Sequence, residues 1–466
     1  MACVSSAWSK ADGLVIEIAL GCPLLCITPT PPSLLQPPQY SMKLFAFGSN
    51  GSGQLGIGHT EDVSTPSQCL FETDVAETAT AQHEKTTLTD ILDDDIVHIA
   101  AGGNHTLLMT KSGAVYVAGC NIDERCGPQY QDQDEDGNIS HFRRFILKDS
   151  TTGSEISTFK CVSATWEGTI AVASTPQSQT QLLGIPEPQD RVYITGLSPK
   201  GTLTHDTTTP VQPGTFISDF PPRGTSITSL SSSMAHTIAI LSNGDVYGWG
   251  GSRKGQLGAG HRGSKIVCQP RKFDVPFPVK GGVCGREFSV VWGSAGDVYV
   301  FADSGMKWGV TGIPKVLSGL SDSVGAEDVC GGARGHIPFA SAGIGASWHG
   351  VYVHVAPASA PASTPILAPG SIIAWGRNDR GQLPPPTLPS TAHLAVGSEH
   401  VLALLEHGQV AAFGWGEHGN CGPDTDTQGN VSGTYNIVPL PDTVSAAGER
   451  VIGVGAGCAT SFMLVS

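Results

Sequence analysis

MAHTIAILSNGDVYGWGGSRKGQLG, residues 234–258, decides how the rest of the chain is read. Two short apolar runs, Thr237-Ile238-Ala239-Ile240 and Val246-Tyr247-Gly248-Trp249, flank Asn243-Gly244. An Asn-Gly pair between two such runs is a hairpin signal, because both turn positions tolerate positive φ. The runs are short and apolar throughout, as in strands buried on both faces. A Gly-rich loop then ends at Gly258.

The same pattern recurs. AGGNHTLLMTKSGAVYVAGCNIDERCG spans 101–127, and VGSEHVLALLEHGQVAAFGWGEHGNCG spans 396–422. Weaker copies cover 159–201, 279–309 and 344–383. A seventh is split: 451–466 supplies the first half and 44–56, LFAFGSNGSGQLG, supplies the second. Self-similarity at such a period marks a repeat architecture. A ring of sheets leaves two open edges unless its ends pair, and open edges are templates for aggregation. The pattern therefore predicts an all-β, seven-bladed β-propeller over 42–466, closed by pairing of N- and C-terminal strands. Small residues before the repeated His are expected on an inner strand, where the blades crowd. Segments 57–94, 128–155, 202–226, 310–339, 355–369 and 423–450 are expected to be exposed loops. Residues 1–41 carry one Lys, no Arg and a Pro-rich end. They are expected to be a disordered extension, or upstream sequence carried into the gene reading.

Composition agrees. Gly is 59 and Pro 32 of 466 residues, and charged residues are 14%. That favours many tight turns over helical bundles. With 26 Lys+Arg against 41 Asp+Glu, the net charge is −15. A non-specific DNA binder needs a basic stripe to displace counterions, so direct DNA binding is not expected. No membrane partner is expected either, and the chain is expected to be monomeric by itself. The twelve cysteines form no Cys-x-x-Cys pair. They read as buried free thiols in a reducing compartment.

Catalytic motifs dissolve on inspection. Gly51-Ser52-Gly53-Gln54-Leu55-Gly56 matches a dinucleotide fingerprint, but no helix start follows to receive a pyrophosphate. His105, His236 and His400 share one repeat position, and rotation around a ring keeps them apart; they read as packed residues bonding backbone between blades. No catalytic, cofactor-binding or metal residue is assigned. The partner-binding candidates are aromatic and cationic residues on matching loops: Trp249, Arg253 and Lys254; Trp375, Arg377 and Arg380; Trp415 and His418, beside Glu417. Such residues are enriched at interface hot spots, and loops on a rigid scaffold carry function.

The elements Gly-x-x-His-Thr, Val-Tyr-x-Trp-Gly and Gly-Gln-Leu-Gly resemble the regulator of chromosome condensation repeat family. The resemblance covers roughly 44–466 and implies the seven-bladed propeller. Within the family, LFAFGSNGSGQLGIGHTEDVSTP (44–66) is most similar to the fungal alpha-tubulin suppressor group. That likeness implies a cytoplasmic and nuclear, non-catalytic scaffold. It would bind a small CSL zinc-finger protein, supporting diphthamide synthesis on elongation factor 2 and Elongator-dependent tRNA wobble-uridine modification. The alternative within the family is a guanine-nucleotide exchange factor for a Ran-type GTPase on chromatin.

Overall fold

The computed structural model describes residues 22–23, 42–73, 88–90, 92–128, 135–175, 189–198, 207–261, 264–303, 305–318, 332–337, 342–355 and 368–466. Seven antiparallel sheets follow one another around a ring. Blade 1 is the stitched one, ordered Val451–Ala456, Thr460–Val465, Lys43–Gly48 and Val63–Gln68 from inner edge to outer edge. Blade 2 runs Ile96–Ala101, His105–Thr110, Val115–Cys120, Asn138–Arg144, and two short strands extend it at the rim, Phe71–Glu72, parallel to Asn138–Arg144, and Leu88–Thr89. Blade 3 starts at Cys161–Ala164 and ends at Thr207–Phe216; blade 4 starts at Ile227–Ser232 and ends at Ile266–Phe273. Blade 5 spans Val279–Cys284 to Gly332–His336, and blade 7 spans Thr391–Val396 to Asn430–Ile437. Blade 6 has three strands among the described residues: Ala342–Ala346, Gly350–Val355 and Ile372–Gly376. Helix is confined, among the described residues, to Lys315–Ser318, Asp442–Ala447 and a turn of 3-10 helix at Ala259–His261.

The predicted fold is the observed one, including its closure. Lys43–Gly48 pairs with Thr460–Val465 over six residues, from Lys43 opposite Val465 to Gly48 opposite Thr460. The expected hairpins are present, with Gly113, Gly244, Gly296 and Gly408 all at positive φ.

The loop expectation needs correction. Five of the segments read as loops each contain the fourth strand of a blade: Val63–Gln68, Asn138–Arg144, Thr207–Phe216, Gly332–His336 and Asn430–Ile437. Such a strand lies toward the rim and packs only partly, so it carries no apolar run. Val63–Gln68 has no buried residue, and Asn430–Ile437 has two. Most of 355–369 lies outside the described residues, as does most of 1–41. Of the latter, Cys22–Pro23 pairs with the inner strand of blade 4, opposite Leu230 and Ser229.

Apolar layers between the blades hold the ring together. One layer joins Phe45, Phe47, Phe462 and Leu464 of blade 1 to Leu402 and Phe413 of blade 7 and Ile99 and Leu108 of blade 2. Burial of an aromatic or Leu side chain contributes about 1.5–3 kcal/mol relative to exposure. The cysteines fit this picture in part. Cys69, Cys126, Cys161, Cys284 and Cys421 are buried and free, but Cys268 is exposed and Cys458 sits half-buried in a turn.

The repeated histidines clasp neighbouring blades. His105 Nε2 lies 3.0 Å from Thr169 Oγ1, and His236 and His400 repeat the contact at 2.9 Å to Ser289 Oγ and Ser461 Oγ. Each partner hydroxyl belongs to the next blade. The Ser289 and Ser461 hydroxyls in turn donate to Gln256 O and Asn420 O at 2.9 and 2.8 Å. Those hydroxyl protons are thus committed, so His236 and His400 carry a proton on Nε2 and donate it. The expected partner was backbone; the observed one is a side-chain hydroxyl across the blade gap. Burial lowers the three histidines' pKa values, to about 3 for His236 and about 4 for His400.

Candidate interaction face

Each blade joins its inner strand to its second strand by a tight turn. The turn closes with an N–H to carbonyl bond of 2.8–2.9 Å, at Gly102–His105, Thr165–Gly168, Ser233–His236, Gly285–Phe288, Ser347–Gly350, Gly397–His400 and Gly457–Thr460. Two residues form its tip at one face of the ring. They are Gly103-Asn104, Trp166-Glu167, Met234-Ala235, Arg286-Glu287, Trp348-His349, Ser398-Glu399 and Cys458-Ala459. The Gly-rich loops that leave the third strands of blades 1, 4, 6 and 7 start at the same face. A recurring glycine makes this approach: at Gly250 (φ 97) a Cβ would meet the tip carbonyl of Ala235 at 2.4 Å, and at Gly414 (φ 109) that of Glu399 at 2.6 Å. Every L side chain is excluded there.

The Gly-rich loops are built from their own amides. Gln54, Gln256 and Gln382 accept the N–H two residues back through Oε1, at 2.8, 2.8 and 2.9 Å. Asn50 and Asn378 accept the N–H five residues on, at 2.9 and 3.0 Å. The glycine fingerprint at 51–56 is such a loop, and it leads to the outer strand Val63–Gln68.

At the centre of the face the turn tips meet over the channel. A shallow recess is lined by Ala101, Thr165, Trp166, Met234, Trp348, Ser398 and neighbours. Trp166 of blade 3 and Trp348 of blade 6 approach across the ring, with centroids 5.9 Å apart. Arg286 of blade 5 stands 5.4 Å from the Trp348 ring. Backbone bonds tie the tips together: Gly103 N to Trp166 O at 3.1 Å, Arg286 N to Trp348 O at 3.1 Å, Trp348 N to Ser398 O at 2.9 Å.

Glu399 anchors one side of this centre. Its carboxylate accepts from His349 Nδ1 at 3.0 Å, from Arg377 Nη1 at 2.9 and 3.0 Å, and from Gln382 Nε2 at 2.7 Å. Burial alone would raise its pKa. The hydrogen bonds from His349 and Gln382, with the Arg377 charge, outweigh burial and hold it below the usual carboxylate value. Arg377 is also bonded to Asp379, and its guanidinium lies 4.9 Å from the Trp308 ring.

The sequence-derived candidates divide. Trp249 is 0% exposed, packed between blades 3 and 4 against Phe220. Trp375 is 6% exposed, sits in the layer between blades 5 and 6, and donates from Nε1 to Val310 O at 2.8 Å. Neither belongs on an exposed docking loop. Both precede the bending glycine, at a third-strand position that faces the adjacent blade. Trp415 follows its glycine, Gly414, and is only half-buried. Arg380, Trp415 and His418 come together: Arg380 lies 5.4 Å from the Trp415 ring, and His418 meets it edge-on at 5.3 Å. His418 Nδ1 is 2.8 Å from Asp62 of blade 1. Arg377 lies on the face but is bound into the Glu399 network. Arg253 and Lys254 are exposed there. Trp166, Arg286, Trp308 and Trp348 were not singled out from the sequence. Aligning the seven turn tips, where every repeat differs, would have exposed three of them.

A ring of seven repeats with its chain ends stitched into one blade, displaying variable tips on one face, defines a repeat-built propeller. The sequence pattern described as the regulator of chromosome condensation (RCC1) repeat matches residues 43–109 and 243–292, and a second form of it matches 96–127 and 227–256. The chain thus carries RCC1 repeats over these stretches. It is similar to the RCC1 repeat-containing protein C10F6.04 of Schizosaccharomyces pombe, at 26% identity over 91% of this chain and 98% of that one. It is also similar to the secretion-regulating guanine nucleotide exchange factor of Mus musculus, at 24% identity over 89% and 82%. The solved structure of yeast RCC1 (Prp20), bound there to Kap60, superposes with a TM-score of 0.61 at 17% identity, covering 99% of this chain and 96% of that one. Human WBSCR16 superposes at 0.59 with 15% identity, over 92% and 99%.

Proposed function

We propose that this protein is a non-catalytic scaffold that docks a partner on the face formed by the turn tips and Gly-rich loops. The observation that carries this reading is the convergence of Trp166, Trp348 and Arg286 at the channel mouth, with Arg380, Trp415 and His418 farther out on the same face. Tryptophan and arginine supply most of the energy at protein interfaces. Among the described residues, no group of three or more His, Cys, Asp or Glu is placed to hold a metal ion. The similarity of residues 44–66 to the fungal alpha-tubulin suppressor group supports a small CSL zinc-finger protein as the partner. The activity supported would be diphthamide synthesis and Elongator-dependent wobble-uridine modification, in cytoplasm and nucleus. Pull-down with the purified CSL protein tests this. A stable complex is expected; no complex, with normal diphthamide in a deletion strain, overturns it.

A second reading has its own support. The mouse relative is named as a guanine nucleotide exchange factor. Acceleration of nucleotide release from a Ran-type GTPase by the purified protein would place exchange activity ahead of the scaffold reading.

A further inference from the structure

We propose that the loops and turn tips of blades 4 to 6 bind an acidic, extended protein segment, with Trp348 receiving one apolar side chain of that segment. This deepens the docking reading and rests on it. Arg253, Lys254, Arg286 and Lys307 are exposed and Arg380 is half-exposed. Among the described residues none of the five has a carboxylate within ion-pair reach. That sets them apart from Arg377 beside them, whose charge Glu399 and Asp379 already neutralise.

Backbone bonds and ring contacts link the loops that carry these cations. Asp303 N donates to Lys254 O at 2.6 Å, joining the loops of blades 4 and 5. Lys307 Nζ lies 4.4 Å from the Trp308 ring, whose centroid is 6.3 Å from His349 at the tip of blade 6. Arg286 bridges from blade 5 to Trp348, and Arg380 continues to Trp415. The path crosses three blades, which suits a chain segment rather than a small anion. Charged side chains spaced along a peptide can meet these cations and avoid Glu287 and Asp303, which stand among them. Evenly spaced phosphates would meet those carboxylates as well, inside a protein of net charge −15.

The test is fluorescence anisotropy at low salt with a short fluorescein-labelled Glu-rich peptide carrying one central phenylalanine. The wild-type protein is expected to bind it, with affinity falling as salt rises. Arg286→Glu with Lys307→Glu is expected to weaken binding at least about tenfold. Trp348→Ala is expected to remove the advantage of the phenylalanine over an all-polar peptide. Lys111→Glu, at a hairpin tip away from this face, is the control, and circular dichroism checks that each variant folds. No binding by wild type, equal loss in the control, or equal binding of oligothymidylate overturns the proposal. The two readings fail separately. A CSL complex formed by a wild-type protein that binds no peptide removes this site and leaves that partner. Peptide binding without a CSL complex removes the partner and leaves the site.

Discussion

Phe45 stands opposite Met463 in the sheet of blade 1, so the first patterned strand and the last are direct neighbours. The inner two strands of that blade come from the C-terminal end and the outer two from the N-terminal end. Both edges that an open ring would expose are thereby consumed. The closing blade also packs on both sides, against blade 7 and blade 2, as part of one apolar layer.

The closing blade is expected to be as integral as any other. Phe462, 0% exposed in blade 1, and Phe413, 0% exposed in blade 7, are buried in the same layer. Replacing either by Ala should cost about 3–5 kcal/mol through lost burial and the cavity left behind. Urea denaturation measures both. A Phe462→Ala variant that unfolds near the wild-type midpoint, while Phe413→Ala falls, would show that the stitched blade is a loosely attached end.

Acid is expected to weaken the ring through its interblade histidines. In the unfolded chain they would titrate near the ordinary value of about 6.5. In the folded protein burial lowers His236 to about 3 and His400 to about 4, and lowers His105 too. Between those values the unfolded state binds more protons, so stability falls as pH falls. Full stability is therefore expected above about pH 6.5, with a loss of up to about 1.4 kcal/mol per pH unit for each such histidine below it. His236→Gln should flatten the fall in urea midpoint between about pH 6.5 and pH 4.5. An unchanged slope would remove His236 from the account.

The fold was legible because its grammar is carried by turns. Asn243-Gly244 and its equivalents mark hairpins, and the bending glycine recurs because a tip carbonyl occupies the space of its Cβ. Neither signal depends on distant partners. Outer strands such as Val63–Gln68 were illegible because they are half-exposed and lie against only one neighbour. Arg380, Trp415 and His418 were singled out on the loops of two different repeats, and the ring of blades brings them into contact. The centre of the site was not legible. Trp166, Trp348 and Arg286 meet only because blades 3, 5 and 6 face one channel, each sitting first at the tip of its own turn.

Position relative to the bending glycine separates packing tryptophans from surface ones. Trp249, before Gly250, is buried between blades, and Trp249→Ala should cost about 3–5 kcal/mol. Trp415, after Gly414, is half-buried, with its Nε1 bonded to Glu417 at 3.0 Å. Trp415→Ala should leave the melting temperature close to wild type and weaken capture of the docked partner. A melting temperature that drops as far in Trp415→Ala as in Trp249→Ala would refute the distinction.

Glu399 is expected to be the electrostatic keystone of the channel mouth. Its side chain is 5% exposed and holds Arg377, His349 and Gln382 at once. His349 is the tip neighbour of Trp348, so the carboxylate fixes the turn that carries that ring into the channel. Glu399→Ala would leave the Arg377 guanidinium 17% exposed, with only the exposed Asp379 opposite it. Removing one member of a buried ion pair typically costs about 3–5 kcal/mol, because the remaining charge stays desolvated. Glu399→Gln keeps the shape and a hydrogen-bond acceptor but loses the charge, so a smaller loss is expected. Both should shift the tryptophan emission, because Trp348 and Trp166 are 5.9 Å apart and relaxation of the blade 6 turn changes their contact. Paired urea titrations followed by tryptophan emission and by far-ultraviolet circular dichroism separate the effects. Loss of stability with native emission before unfolding would mean that Glu399 braces the ring without positioning Trp348. Wild-type stability in Glu399→Ala would show that Arg377 does not depend on it.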